Sequence, residues 1–208
     1  LITKRHNFCN RNNIVKDNIM NLNLGCGNKI LKGYTNVDKY DYYNCDIVHD
    51  LEKFPYPFEN NSIDKILLSH VLEHIGQDPN IFNEIIVELY RICKPEALIE
   101  IIVPHPRHDD FISDPTHVRP ITVLGLSLFD KEQNEVWASA GAANTPLALI
   151  LDVNFKIENA QHQVDNHFKA KVQSKELTYS EVENLSKYQN NIIKQTAIIW
   201  RVKKDIKQ

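Results

Sequence analysis

The chain has 208 residues, 42% of them hydrophobic, and a formal net charge of −3. That length buries the core of one domain, here 1–208, with little room for a second, and the mildly acidic balance argues against the electropositive footprint that nucleic acid requires. No run reaches the roughly 18 continuous apolar residues of a membrane span, and Cys9, Cys26, Cys45 and Cys93 contain no CxxC pair, so a cytoplasmic protein with reduced thiols is expected.

Residues 1–18 are polar and aperiodic, as in an N-terminal arm or a short helix over a pocket, and Leu1 in place of Met is what a partial or processed chain would show. Ile19 to Leu24 alternates as a first strand and runs into Gly25-Cys26-Gly27-Asn28. Glycine has no Cβ, so a strand ending in Gly-x-Gly brings backbone N–H groups against a ligand at the carboxyl edge of a parallel sheet, although the same tripeptide also closes plain turns. Ile30 stands where a dinucleotide fingerprint needs its third glycine, which disfavours a bridging pyrophosphate. Thr35 to Asp38 is a second strand ending in a carboxylate that suits the two hydroxyls of a ribose. Only Asn28 to Lys32 is left for a crossover, where parallel strands normally need about a dozen residues, so the first helix must be short or degenerate.

Asp46 to His49 is a third strand closed by Asp50-Leu51, with Asp46 at its start and away from the carboxyl edge. Phe54-Pro55-Tyr56-Pro57-Phe58 excludes a regular helix and predicts a rigid loop giving aromatic cover to a base. Ile63 to Ser69 is an apolar fourth strand of the buried parallel kind, followed by His70-Val71-Leu72-Glu73-His74-Ile75.

Asn23 to Asn28, Asn36-Val37-Asp38, His49-Asp50-Leu51, Pro57 to Asp64 and Ser69 to Ile75 together resemble, in order and spacing, the class I S-adenosylmethionine-dependent methyltransferases of the type 11 group, over residues 19–104. The resemblance implies an α/β, Rossmann-like fold with a mostly parallel seven-stranded sheet and an antiparallel last strand. It implies S-adenosyl-L-methionine as cofactor and S-adenosyl-L-homocysteine as product. Asn23, Leu24, Gly25, Cys26 and Gly27 would form the cofactor turn and Asp38 would hold the ribose. Asp50 would accept from the adenine amino group, the Leu51 N–H would serve the adenine ring, and Ser69 and His70 would lie beside the methionine portion. His70 to His74 also matches the HxxEH pattern of inverted zinc proteases, whose helix sets both imidazoles on one face. Because the motif follows a buried strand where the methyltransferase pattern expects it, no metal is assigned; Glu73 and His74 are expected to be structural.

Downstream, Ile81, Phe82, Ile85, Ile86, Leu89 and Ile92 give helical spacing over Asn80 to Lys94, opened by Asp78-Pro79 and stopped by Pro95. Leu98 to Val103 is a fifth strand, Asn154 to Gln163 a sixth, Tyr179 to Asn190 a helix and Ile192 to Val202 the last strand. Residues 104–151 form a substrate-side insertion, with Phe129 and Trp137 as wall or core. Imidazoles, carboxylates and guanidinium groups crowd Pro104 to Pro120, directly after the carboxyl end of strand five. A sulfonium is already an activated methyl donor, so the protein mainly aligns the acceptor, but a hydroxyl or amine must also lose a proton. His117, oriented by Asp114, is the expected base, with His105 next and with His108 and Arg119 binding substrate. The expected acceptor is an oxygen or nitrogen of a small molecule, a protein side chain being the other candidate. The rival readings are a fold that holds the cofactor without catalysis and a His-rich metalloenzyme.

Overall fold

A computed structural model describes residues 19–205. The expected N-terminal arm, with Cys9, lies outside the described residues. The sheet has seven strands in the order β3-β2-β1-β4-β5-β7-β6. These are β1 (Asn21–Leu24), β2 (Thr35–Asp38), β3 (Ile47–Val48), β4 (Ile63–Ser69), β5 (Cys93–Pro104), β6 (Phe155–Val164) and β7 (Ile193–Val202). The first five pair in parallel, and β7 runs antiparallel to both β5 and β6. The fold inferred from the sequence is therefore present, including the reversed last strand.

Central strands are buried on both faces and correspondingly apolar: Ile63, Ile66 and Leu68 of β4 and Ile99, Ile101 and Val103 of β5 are each at most 1% exposed. Helix α1 (Pro79–Ile92) lays Phe82, Ile85, Ile86, Leu89 and Ile92 on this core. Its N-terminus is capped by the Asp78 carboxylate, which accepts from the Asn80 N–H at 2.8 Å. β6 is mostly exposed and carries Lys156, Glu158, His162 and glutamines, a polar edge of the kind that resists further strand addition.

Parallel strands β1 and β2 are adjacent with Leu22 opposite Thr35, yet residues 25–34 between them contain no helix, only turns. Two buried asparagines do the work a packed helix would do. The Asn23 amide donates to the Lys29 carbonyl (2.7 Å) and to Asn36 Oδ1 (3.0 Å), while Asn36 Oδ1 accepts from the Leu31 N–H (2.8 Å). Asp46 holds Asn36 in turn, accepting from its N–H (2.7 Å) and side-chain amide (2.9 Å). Those two bonds keep the Asp46 carboxyl below its ordinary pKa and explain why this acid is structural.

The connection after β5 is helical in short pieces: α2 (Asp109–Ile112), α3 (Val123–Ser127), α4 (Lys131–Ser139) and α5 (Leu147–Ile150). Between β6 and β7 lie α6 (Asn166–Gln173) and α7 (Tyr179–Ser186), which close a small separate apolar cluster around Val182, Ile192 and Ile193. The expected helix over Tyr179 to Asn190 is α7, ending at Ser186, and α6 has no counterpart in the sequence expectations. Phe129 is core, edge-on to Trp200 at 5.8 Å. None of the described helices is long and apolar enough to cross a membrane.

Candidate active site

Strand β1 ends in a turn that only glycine fits. Gly25 has φ +65°, and a Cβ there would lie 2.6 Å from Val71 Cγ2. The Cys26 N–H donates to the Val37 carbonyl (3.0 Å), fastening the turn to β2, and the Gly27 N–H donates to Asp38 Oδ2 (2.8 Å). Asp38 Oδ1 accepts from the Tyr40 N–H (3.0 Å). Each carboxylate oxygen has a second lone pair, so the group is fixed in place and can still accept from two hydroxyls. Cys26 is 5% exposed, and burial, helped by Asp38, pushes its thiol up to about 11. It is a neutral filler rather than a nucleophile, and its part in any site is played by its backbone.

One strand over, Asp50 caps the turn after β3. Burial opposes its ionisation, but the Glu52 N–H (3.1 Å) and the Lys39 ammonium (3.1 Å) outweigh that and hold its carboxyl below the ordinary value. Lys39 is a partner that sequence reasoning missed, because an exposed lysine next to a strand end carries no signal of its own. Leu51 is buried and its carbonyl accepts from the Tyr56 hydroxyl (2.8 Å). Of the aromatic loop expected to cover a base, Tyr56 is therefore committed to the core. Tyr56 is 2% exposed, sits face to face with Phe54 at 5.8 Å and belongs to the core, and its N–H donates to Glu88 Oε2 (2.6 Å). The Phe54–Pro55 bond is cis.

Strand β4 delivers Ser69 and then His70, which takes the left-handed conformation (φ +57°), uncommon outside glycine and frequent at functional turns. The HxxEH stretch is therefore a turn, closed by the His74 N–H on the Val71 carbonyl (3.0 Å), and the helical face of a zinc protease is absent. Its Val71 abuts Gly25, so this turn sits against the glycine turn. His70 Nδ1 lies 3.3 Å from Glu73 Oε1, and Glu73 raises the imidazole pKa against the opposing effect of burial.

The loop after β5 folds back on that turn. The Val118 and Arg119 N–H groups donate to the Glu73 carbonyl (2.8 and 3.3 Å), and Arg119 Nε and Nη2 donate to the Gly76 carbonyl (3.2 and 2.7 Å). This brings His117 to His74, ring centroids 4.5 Å apart. His117 Nδ1 meets the Phe111 carbonyl at 2.7 Å, and its ring lies on the Phe111 ring at 5.1 Å. Asp114, expected to orient His117, instead accepts from the Thr116 N–H (2.8 Å) and hydroxyl (2.6 Å), and its Oδ2 is 3.8 Å from His117 Nε2. The main-chain carbonyl of Phe111 is the orienting group.

His105 and His108 sit elsewhere. Burial, then His162, Arg107 and His108, drive the His105 pKa down to about 4, and its Nδ1 accepts from the Arg107 N–H at 3.2 Å. His108 is 6% exposed; its Nδ1 caps α2 by accepting from the Asp110 N–H (3.0 Å), and its Nε2 is 3.5 Å from Asp165. It ties α2 to the start of α6 and does not face an open pocket. Arg119 does border one: a cavity of about 220 Å³ between the start of α1 and α3, walled by Phe82, Ile121, Leu126 and Phe129, with the guanidinium 4.3 Å over the Phe82 ring. That cavity is mostly apolar and adjoins the His74–His117 turn through the bond from Arg119 to the Gly76 carbonyl.

Residues 22–101 match the methyltransferase-domain model of the type 11 family. Among curated proteins no sequence match was found. Solved structures with the same fold include a SAM-dependent methyltransferase from Archaeoglobus fulgidus, 20% identical over 88% of this chain and 86% of that one, with a TM-score of 0.58. A SAM-dependent methyltransferase from Methanosarcina mazei is 14% identical over 93% and 96%, with a TM-score of 0.54. The [4+2]-cyclase SpnF, 13% identical over 90% and 75% with a TM-score of 0.50, has the fold as well. These likenesses establish the class I methyltransferase architecture that the sequence resemblance implied.

Proposed function

We propose that this chain, which carries a methyltransferase domain over residues 22–101, binds S-adenosylmethionine and moves its methyl group to an oxygen or nitrogen of a small molecule. The observation that supports this best is the pairing of Gly27 with Asp38: a glycine turn and a strand-end carboxylate are locked together at 2.8 Å, with acceptor capacity to spare. In this reading Asp38 binds the ribose hydroxyls, Asp50 and the Leu51 N–H read the adenine, and the backbone of Asn23 to Gly27 passes beside the methionine portion. Ser69 and His70 close its far side.

The sulfonium supplies an activated methyl group, so the chain's own residues have to place the acceptor and take its proton. The apolar cavity beside Arg119 suits the body of a small acceptor, with the guanidinium at its rim. Proton removal falls to the Glu73–His74–His117 cluster, because His105 and His108 are committed to the loop's own backbone.

The shared fold of the cyclase SpnF favours keeping a second reading, cofactor binding without methyl transfer. Titration with S-adenosylhomocysteine, followed by transfer of labelled methyl to a panel of hydroxyl and amine acceptors, separates the two. Binding with transfer is the expected result; binding with transfer to none of the panel would favour the second reading, and failure to bind at all would overturn both.

A further inference from the structure

Glu73 presents an unusual cost. Its side chain is fully buried, and neither carboxylate oxygen has a hydrogen-bond partner among the described residues; His70 Nδ1 stands 3.3 Å from Oε1 without making one. Burying a carboxylate without donors is among the most expensive things a fold can do, and the half-exposed His70 imidazole beside it compensates the charge without a hydrogen bond to either oxygen. One donor atom from each of Glu73, His74 and His117 lies within 4.8 Å of the others, bringing two imidazoles to the orphaned carboxylate.

The tautomers of those imidazoles are determined by their partners. A carbonyl can only accept, so His117 Nδ1 carries the proton that it donates to Phe111 (2.7 Å). The Thr116 hydroxyl spends its single proton on Asp114 Oδ1 (2.6 Å), so its oxygen accepts from His74 Nδ1 (3.0 Å). Both rings thereby spend Nδ1 and leave Nε2 outside these two bonds, that of His117 standing 3.8 Å from Asp114 Oδ2. Nδ1–H on a carbonyl or hydroxyl, with Nε2 free, is the outer-shell arrangement that orients histidines toward a metal ion.

We infer that Glu73, His74 and His117 bind a divalent first-row transition-metal ion of the zinc class, through one carboxylate oxygen and the two Nε2 atoms. Two imidazoles and a carboxylate are a borderline donor set that favours zinc, cobalt or iron over calcium or magnesium. Bonds of roughly 2.1 Å to a tetrahedral ion require the donors to draw together to about 3.4 Å, a contraction that side-chain rotation at His74 and His117 supplies. Three protein ligands leave an open position. On the methyl-transfer reading, which this inference deepens, that position would take the acceptor's hydroxyl oxygen and lower its pKa so that its proton leaves to solvent; the cluster then assists proton removal as ligands, and His117 is not itself the base.

The test uses the full chain, untagged, stripped with a chelator and titrated with Zn²⁺ and Co²⁺. The expected result is uptake of about one equivalent, a Co²⁺ adduct with visible absorption of a low-coordinate N/O site, and at least a roughly 100-fold loss of affinity in His74→Ala and His117→Ala. Glu73→Gln guards against a misfolded variant: it should lose metal affinity while the metal-free protein melts at or above the wild-type temperature, since a buried carboxylate that no hydrogen bond satisfies has been replaced by a neutral amide. Wild type that takes up less than a tenth of an equivalent, or His117→Ala that binds as wild type does, overturns the inference. S-adenosylhomocysteine binding by the stripped protein, without metal uptake, would sink the metal and leave the cofactor reading standing; metal uptake without S-adenosylhomocysteine binding would do the reverse.

Discussion

The stretch from β1 to the end of β5 and the stretch that follows it solve the same problem by different means. In the first, position along a strand decides everything: Gly25 and Gly27 follow β1, Asp38 ends β2, Asp50 follows β3, His70 follows β4, and the parallel register lines these ends up on one edge. In the second, the chain leaves the sheet, and its groups reach the same edge only through cross-links such as Arg119 to the Gly76 carbonyl and His117 to the Phe111 carbonyl. Asp114, expected to orient His117, and His108, expected to bind substrate, are turned to Thr116 and to Asp165 instead. Strand ends inherit their geometry from backbone hydrogen bonds, whereas a loop must build its geometry from side chains.

The sharpest way to break this contrast is to remove one group from each region and see what fails. Asp38→Ala deletes the acceptor proposed for two buried hydroxyls, at about 2 kcal/mol each. S-adenosylhomocysteine affinity should fall roughly 1,000-fold by calorimetry; an unchanged Kd would mean the ribose is held elsewhere. His117→Ala should have the opposite profile, methyl transfer down about 100-fold with cofactor affinity within about 2-fold. Equal losses of both would show the two regions to be one unit.

A third substitution tests the frame beneath both. Glu88 accepts from the Tyr56 N–H (2.6 Å) and from Arg91 Nε (2.6 Å) and Nη2 (2.8 Å), fixing the aromatic loop to α1. Burial resists its ionisation, but Arg91 and that N–H hold its carboxyl below the ordinary range. Glu88→Ala leaves Arg91, whose side chain is 25% exposed, without its carboxylate, and should lower stability by about 2 kcal/mol in urea denaturation. Because the folded pKa is depressed, this contribution is present above the unfolded carboxyl value and is lost as pH falls through the folded one.

The last test is a pH dependence and belongs to His105. Folded, it stays neutral down to about pH 4, whereas the unfolded side chain protonates near 6.5, so the unfolded state binds the extra proton between those values. Stability should fall as pH drops from 6.5 to 4, and His105→Asn should flatten that slope; an unchanged slope in the variant would assign the effect to other groups.

The strands and the glycine turn were legible because apolar runs and the Gly-x-Gly tripeptide act locally: β2 and β4 have the expected bounds, and β1 and β7 differ by two residues or fewer at their first residue. The shortened crossover was legible as a length, but its remedy, the buried Asn23–Asn36 pair, was not, since asparagine in a strand looks like an ordinary polar residue until its partners are known. Helix α6 escaped because NHFKAKVQ buries no residue fully and has little apolar periodicity. Glu73 and His74 were expected to be structural, and nothing in the one-dimensional spacing says that His117, more than forty positions on, closes against them.

The central claim is that an adenosine lies across the carboxyl ends of β1, β2 and β3. The most direct measurement is a crystal structure of the full chain with S-adenosylhomocysteine. The account predicts both ribose hydroxyls within hydrogen-bond distance of the Asp38 carboxylate and the adenine amino group at Asp50. Nucleoside density in the apolar cavity beside Arg119, with none at Asp38, would contradict it.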